Sequence, residues 1–278
     1  MRCFCRLLPL NYAKIPNCTV DPVIKLGTFP LIVWSHGLTG TGEEHGLFAA
    51  AIASRGHVVA LVHHLDGSSS KTVIDGREEA MYYDHPDFKN YKPEFRVKQI
   101  AIREAEISEA REKCLEAFDV DIAFVGGFSY GAATAALTAT KNPALYAGAI
   151  LHDGWFHIDL SKSSGFESDF PSEAHANGIP VPCLFLGSTH FKNIEKLSRA
   201  TKRLQDKSSA EVHVLPGTNH GNFSDVVWWI PNKILHMVRM IGPSDPHDTY
   251  ETVLTLTLNF ITAQKLNQGG SGMRKKRQ

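Results

Sequence analysis

The 278-residue chain has no excess of either charge: Lys plus Arg and Asp plus Glu both number 29. Nucleic-acid binding wants a clustered basic face, and a balanced chain lacks that footprint. No apolar run approaches the roughly 18 residues of a membrane-spanning helix. Cysteine is scarce: Cys3, Cys5, Cys18, Cys114 and Cys183, with no C-x-x-C pair. Free thiols are therefore expected in place of a disulfide framework. Nor is a staple needed, since a chain of this length buries roughly three-quarters of its unfolded surface. Histidine is plentiful at 14, yet no H-E-x-x-H or similar ligand spacing occurs, so neither a metal nor a cofactor is expected. The apolar part of residues 1–10 is broken by Arg6 and Pro9, a poor secretory signal. Arg2 stands where myristoylation requires glycine. The thiols suit a reducing compartment, and cytoplasmic residence is expected, with secretion the alternative if a signal preceded this start.

What is present is an alternation of apolar runs and helical patterns. Short buried-strand runs read at 29–35 (FPLIVWS), 57–63, 121–125, 147–152, 180–187 and 211–215. Helical patterns read at about 43–54, 95–118, 132–140, 193–207, 231–241 and 247–264. In the longest of these, Val97, Ile100, Ile107, Cys114 and Phe118 form an apolar stripe, and the charge-rich remainder reads as a solvated face. Residues 68–93 read as a long polar loop dotted with Tyr82, Tyr83, Phe88 and Tyr91, a candidate wall for a substrate site. This alternation implies an α/β chain with a mostly parallel sheet flanked by helices on both faces. The expected organisation is an irregular segment 1–28, a domain over 29–266 and a disordered basic tail over 267–278.

The central stretch is Val125–Ala133, where Gly127-x-Ser129-x-Gly131 stands between an apolar strand and a run of small helix-tolerant residues. That is the nucleophile-elbow pattern in its strand–turn–helix setting. A sharp turn lifts the serine hydroxyl out of the sheet, and glycines let neighbouring backbone approach without a Cβ in the way. A second glycine-rich turn, His36-Gly37-Leu38-Thr39-Gly40-Thr41-Gly42, follows the first strand. Its spacing to Gly46 misses the dinucleotide pattern by one residue, and Glu43 and Glu44 would repel a pyrophosphate. It is better placed to supply a backbone N–H to an oxyanion.

Beyond the carboxyl ends of the strands lie Gly37–Leu38, Ser129, Asp153 and His220, where ligands of open parallel sheets sit. The order serine, aspartate, histidine is that of the α/β-hydrolases. Ser129 is the expected nucleophile, His220 the base, Asp153 the acid that orients it, and the amides of Leu38 and Tyr130 the oxyanion donors. His36, His152 and His213 are rival bases, and Asp159 and Asp169 rival acids; only Asp153 directly follows an apolar strand. Trp155 and Phe223 are candidate substrate contacts, with ordinary burial the competing explanation for such aromatics.

The segments FPLIVWSHGLTG, HVVALVHHLDGSSS, GFSYGAATA, LHDGW and TNHGNFSD through ILHMVRMIG together resemble the platelet-activating-factor acetylhydrolases, from Phe29 to Gln264 in motif order. The resemblance implies an α/β-hydrolase fold and a calcium-independent serine esterase that removes short or oxidised sn-2 acyl groups from phospholipids. It implies the same five site residues, no metal, and possible surface contact with lipid. Three departures stand out. Phe128 precedes the serine where the family usually has histidine, and Gly131-Ala132 replaces Gly-Gly. The strand-end loop His63-His64-Leu65-Asp66 lacks the family's arginine. The family's additional N-terminal strands are expected to be missing here. The alternatives are a general carboxylesterase or cutinase-like polyester hydrolase and, in another class, a catalytically inactive hydrolase-like binding module.

Overall fold

The computed structural model of the protein describes residues 27–74, 77–79, 93–160 and 166–275. The expected aromatic wall at Tyr82, Tyr83, Phe88 and Tyr91 and nearly all of the irregular segment 1–28 lie outside them.

Alternating apolar side chains set the architecture. In β1 (Phe29–Ser35), Leu31 and Val33 belong to one core cluster and Ile32 and Trp34 to another, and all four are at most 1% exposed. A strand buried on both faces must read as a continuous apolar run, and this one does. Around it forms a six-stranded parallel sheet with β2 (Val58–Val62) at one edge. On its other side lie β5 (Val120–Phe128), β6 (Gly148–His152), β9 (Cys183–Ser188) and β10 (Ala210–Leu215). Two antiparallel hairpins unforeseen from sequence stand apart: β3 (Thr72–Ile74) with β4 (Arg77–Glu79), and β7 (His157–Leu160) with β8 (Phe166–Asp169). Their period-2 signal is three or four residues long, too short to stand out. Among the described residues no strand precedes β1.

Helices cover both faces, as expected. One face carries α2 (Pro93–Ala117), α3 (Tyr130–Lys141) and α6 (Glu195–Asp206); the other carries α1 (Gly46–Ala53) and α9 (Pro246–Lys275). The short helices α4 (Ser172–Asn177), α5 (Thr189–Asn193), α7 (Val226–Trp229) and α8 (Asn232–Met237) complete the set. The α3 helix is buried all round from Tyr130 to Ala139, which its alanines and threonines permit. Helix α9 runs past the expected end near Gln264 and takes in residues 267–275 of the segment expected as a disordered tail. Extending an existing helix fixes only one further residue per hydrogen bond, so a boundary can lie far beyond the apolar pattern.

The reading of α2 needs correction. Val97 is 54% exposed, whereas Arg96, Gln99 and Arg103, assigned to a solvated face, are buried. They follow helical spacing and point inward. A charge is tolerated there only when it is paired and hydrogen-bonded, and Arg103 meets Asp66 through Nε at 3.1 Å.

Candidate active site

The site is assembled at the carboxyl ends of β1, β5, β6 and β9 and in the turn after β10. Ser129 sits between β5 and α3 with φ 58° and ψ −118°. That left-handed conformation costs a non-glycine residue energy and must be held by its surroundings. The Ser129 N–H donates to the His152 carbonyl at 2.9 Å, and the Ser129 carbonyl accepts from the Trp155 N–H at 3.0 Å. A Cβ at Gly131 would lie 2.0 Å from the Ser35 carbonyl oxygen, and one at Gly127 2.4 Å from Gly131 backbone. Only glycines allow strand, elbow and helix to close this tightly.

Asp153 follows β6 with φ 41°. Its side chain is 1% exposed and fully engaged. Oδ1 accepts the Ser188 backbone N–H at 2.6 Å, while Oδ2 accepts the Ser188 hydroxyl at 2.9 Å. Oδ2 also bonds His220 Nδ1 at 2.6 Å. His220 opens a 3-10 turn (His220–Phe223) built by a reciprocal cap between Asn219 and Asn222. Its ring lies between Phe128 (4.4 Å between centroids) and Phe191 (4.2 Å), stacked on both. With two faces and one nitrogen fixed, Nε2 is the free corner, and the side chain retains 31% exposure. Ser129 directly follows Phe128 in the chain, and among the described residues its hydroxyl makes no hydrogen bond to His220 or to any other group.

The turn after β1 approaches the elbow closely. A Cβ at Gly37, the residue before Leu38, would lie 3.3 Å from Ser129 Cβ. Tyr130 opens α3, where the peptide dipoles present their positive end. Trp155 is partly buried beside Tyr130 and Arg96. Phe223, expected as a substrate contact, is 4% exposed and packs in the core beside His152. Its backbone, not its ring, faces the turn, because the 3-10 geometry rotates it inward.

The rival bases and acids fall away on physical grounds. His36 and His152 are buried, and desolvation holds both well below the ordinary histidine value, so neither accepts a proton near neutrality. His213 pairs with Glu211 on the edge strand. Asp159 and Asp169 belong to ion pairs with Lys196 and Arg203 that tie the β7–β8 hairpin to α6. Among the described residues no three His, Cys, Asp or Glu side chains gather as a metal-ligand set.

Sequence reasoning missed the supports. Ser188, at the end of β9, holds the Asp153 carboxylate, and its position after a buried strand was the available signal. Phe128, the residue that departs from the family pattern, becomes one half of the histidine clamp. Beneath the turn after β1 lies a buried network that the strand-end loop anchors. Arg103 donates to the His36 carbonyl at 2.9 Å, to Ser68 Oγ at 2.8 Å and to Asp66. His64 bonds Ser35 and Glu106 at 2.8 and 2.6 Å. Arg103 reaches the loop from α2.

Residues 8–122 and 115–272 match the family model described as platelet-activating factor acetylhydrolase, isoform II. The chain belongs to this family. Among similar relatives, the platelet-activating factor acetylhydrolase of Cavia porcellus is 24% identical over 92% of this chain, and that of Bos taurus 24% identical over 84%. The chain spans 62% and 56% of their respective lengths. The fold is similar to a ferulic acid esterase from Streptomyces cinnamoneus, with a TM-score of 0.66 at 19% identity over 86% of this chain and 67% of that one. It is likewise similar to a dienelactone hydrolase from Anabaena variabilis, with a TM-score of 0.54 at 12% identity over 85% and 88% of the two chains. This family member has the α/β-hydrolase fold.

Proposed function

We propose that the chain is a serine ester hydrolase that cleaves short acyl esters of phospholipids through an acyl-enzyme on Ser129. The observation that carries the reading is the 2.6 Å bond between Asp153 Oδ2 and His220 Nδ1, with the imidazole clamped between Phe191 and Phe128, the residue that precedes the elbow serine. With Nδ1 committed to Asp153, Nε2 takes the Ser129 proton as Oγ attacks the ester carbonyl. The tetrahedral oxyanion is received by the Leu38 and Tyr130 amides, each worth roughly 3 kcal/mol of barrier. Collapse expels the alcohol, which regains a proton from His220. Water activated by the same base then releases the acid from Ser129.

The substrate class rests on two supports. The relatives are named for acetyl hydrolysis of platelet-activating factor. Beside the His220 turn lies an exposed apolar patch of Met237, Val238 and Met240, with Met237 75% exposed. The patch adjoins the site directly, since the Gly221 N–H donates to the Met240 carbonyl at 2.9 Å. Such a patch suits peripheral contact with a lipid surface.

A fluorophosphonate probe tests the chemistry: labelling is expected in the wild type and none in Ser129→Ala. Folded protein that resists the probe would leave a binding module as the better account. Hydrolysis of 2-acetyl against long-acyl phosphatidylcholine then tests the substrate. Efficient turnover of water-soluble esters with neither phospholipid cleaved would defeat the phospholipid reading and leave a general carboxylesterase.

A further inference from the structure

Between β9 and α6, behind the Asp153–His220 pair, lies a cavity of about 210 Å³ whose lining includes Asp153 and Ser188. An apolar cavity of ~150 Å³ already takes up benzene. Strand alternation explains its origin. Cys183 and Phe185 of β9 face the α6 side of the sheet, while Leu184 and Leu186 face α9. Gly187 is next on the α6 side. A Cβ there would meet nothing nearer than 3.9 Å, so the missing side chain is an opening and not a close approach. Leu151, Phe156 and Phe185 form the apolar floor. Phe191 forms one wall, and its ring is the one stacked on His220. Ser129, Leu38, Tyr130 and Trp155 take no part in the lining, so this is not the space in which an acyl group would meet the nucleophile.

Two lysines stand at the rim, and Lys202 is paired with Asp206. Lys192 is exposed and has no hydrogen bond or ion pair among the described residues. An apolar floor beneath an uncommitted ammonium is complementary to one ligand class, an anion with a short hydrocarbon tail. We propose that this cavity is a second binding site, behind Asp153 and apart from the space before Ser129, for a short-chain amphipathic carboxylate. The tail lies on Phe156 and Phe185, and the carboxylate meets Lys192. The inference goes beyond the proposed hydrolysis and holds whether or not Ser129 is a nucleophile.

Octanoate is the probe, with methyl NMR as the readout on the full chain. Saturable shifts are expected at Leu151 and Val214, methyl-bearing residues that line the cavity on the α6 side. Gly187→Leu fills the space and should abolish them. Lys192→Glu should weaken binding roughly fivefold, since an exposed charge pair contributes up to ~1 kcal/mol. Octan-1-ol, which has the same tail and no charge, should bind the wild type weaker by a similar factor. If Gly187→Leu does not fold, Thr201→Phe fills the cavity from the α6 side. No shifts at millimolar octanoate, shifts confined to the surroundings of Ser129, or binding indifferent to both filling variants would overturn the proposal.

Discussion

Replacing Asp153 with asparagine probes the centre of the site with little disturbance to the fold. Asparagine tolerates positive φ better than most residues, so the 41° backbone is retained. The new amide must place its NH2 at one of two positions. At the Oδ1 position it would face the Ser188 backbone N–H, which sits 2.6 Å away and cannot rotate. Donor against donor in a buried site costs about 1–3 kcal/mol. At the Oδ2 position it faces the Ser188 hydroxyl and His220 Nδ1. A hydroxyl can turn to accept, and an imidazole can change tautomer. The amide nitrogen therefore settles against His220, Nδ1 becomes the acceptor, and the proton moves to Nε2. That nitrogen then has no lone pair for the Ser129 proton. A serine hydrolase with this wrong tautomer loses about 10⁴ in kcat, about 5.5 kcal/mol of barrier. Hydrolysis of p-nitrophenyl acetate and the rate of fluorophosphonate labelling should fall together, while the unfolding free energy from urea titration changes by less than about 1 kcal/mol. Activity within tenfold of wild type would refute the reasoning, because another group would then be orienting or replacing the base.

Three further outcomes follow from the packing. Arg103→Met leaves the Asp66 carboxylate buried without its partner and should cost about 3–5 kcal/mol in urea denaturation, with part recovered in Arg103→Met/Asp66→Leu; equal stability of single and double variants would show the pair to be uncoupled. Gly131→Ala drives a Cβ to 2.0 Å from the Ser35 carbonyl and should lower stability by at least ~1–3 kcal/mol and abolish labelling; a stable, labelled variant would contradict the close approach. Stability should peak between pH 6 and 7, because burial lowers His36, His45, His64 and His152 from 6.5 and raises Glu44 and Asp225 to about 7. Below 6.5 the unfolded chain takes up histidine protons that the folded chain refuses, and stability falls on acidification. The two carboxyls act oppositely: folded, they keep protons that the unfolded chain has released, so their contribution is complete at low pH and lost as pH rises through about 7. Glu44→Gln should flatten that alkaline limb; urea titrations in which it instead steepens would reverse the assignment.

How far the sequence could be read depended on the range of the signal. The Asp–His pair could be located because each member follows a strand, and a parallel sheet brings strand ends to one rim. The elbow announced itself through Gly127 and Gly131, whose lack of side chains is demanded by contacts at 2.4 and 2.0 Å. The Arg103 network gave no such local sign. Its members come from residues 35–36, 64–68 and α2, and a charged residue inside a helical pattern looks the same whether it faces water or a buried carboxylate. Phe191 and Ser188 were hidden for the same reason. They matter through what they touch, and an aromatic or a serine at a strand end is common. Phe223 erred in the opposite direction, since proximity in sequence to His220 did not decide which way a 3-10 turn would rotate its ring.

Strain is where these strands of argument meet. Among the described residues four non-glycine residues adopt positive φ: Thr39, Ser129, Asp153 and Arg239. Three of them stand just beyond the ends of β1, β5 and β6, in the turn proposed to receive the oxyanion, at the proposed nucleophile and at the proposed acid. Each such conformation costs of order 1–3 kcal/mol and persists only where neighbours over-determine it. Those neighbours are identifiable. The Thr39 N–H donates to the Ser68 carbonyl at 2.8 Å, in the turn that Arg103 grips, and the Ser129 N–H donates to the His152 carbonyl at 2.9 Å. The Asp153 N–H donates to the Leu186 carbonyl at 2.7 Å. In each case the strained residue is tied to the backbone of a different segment of the same rim, two of them strand residues. The sheet therefore does more than collect the residues. It holds three unfavourable turns in mutual register, so loosening any one of them should relax the others and lower the rate of fluorophosphonate labelling at Ser129.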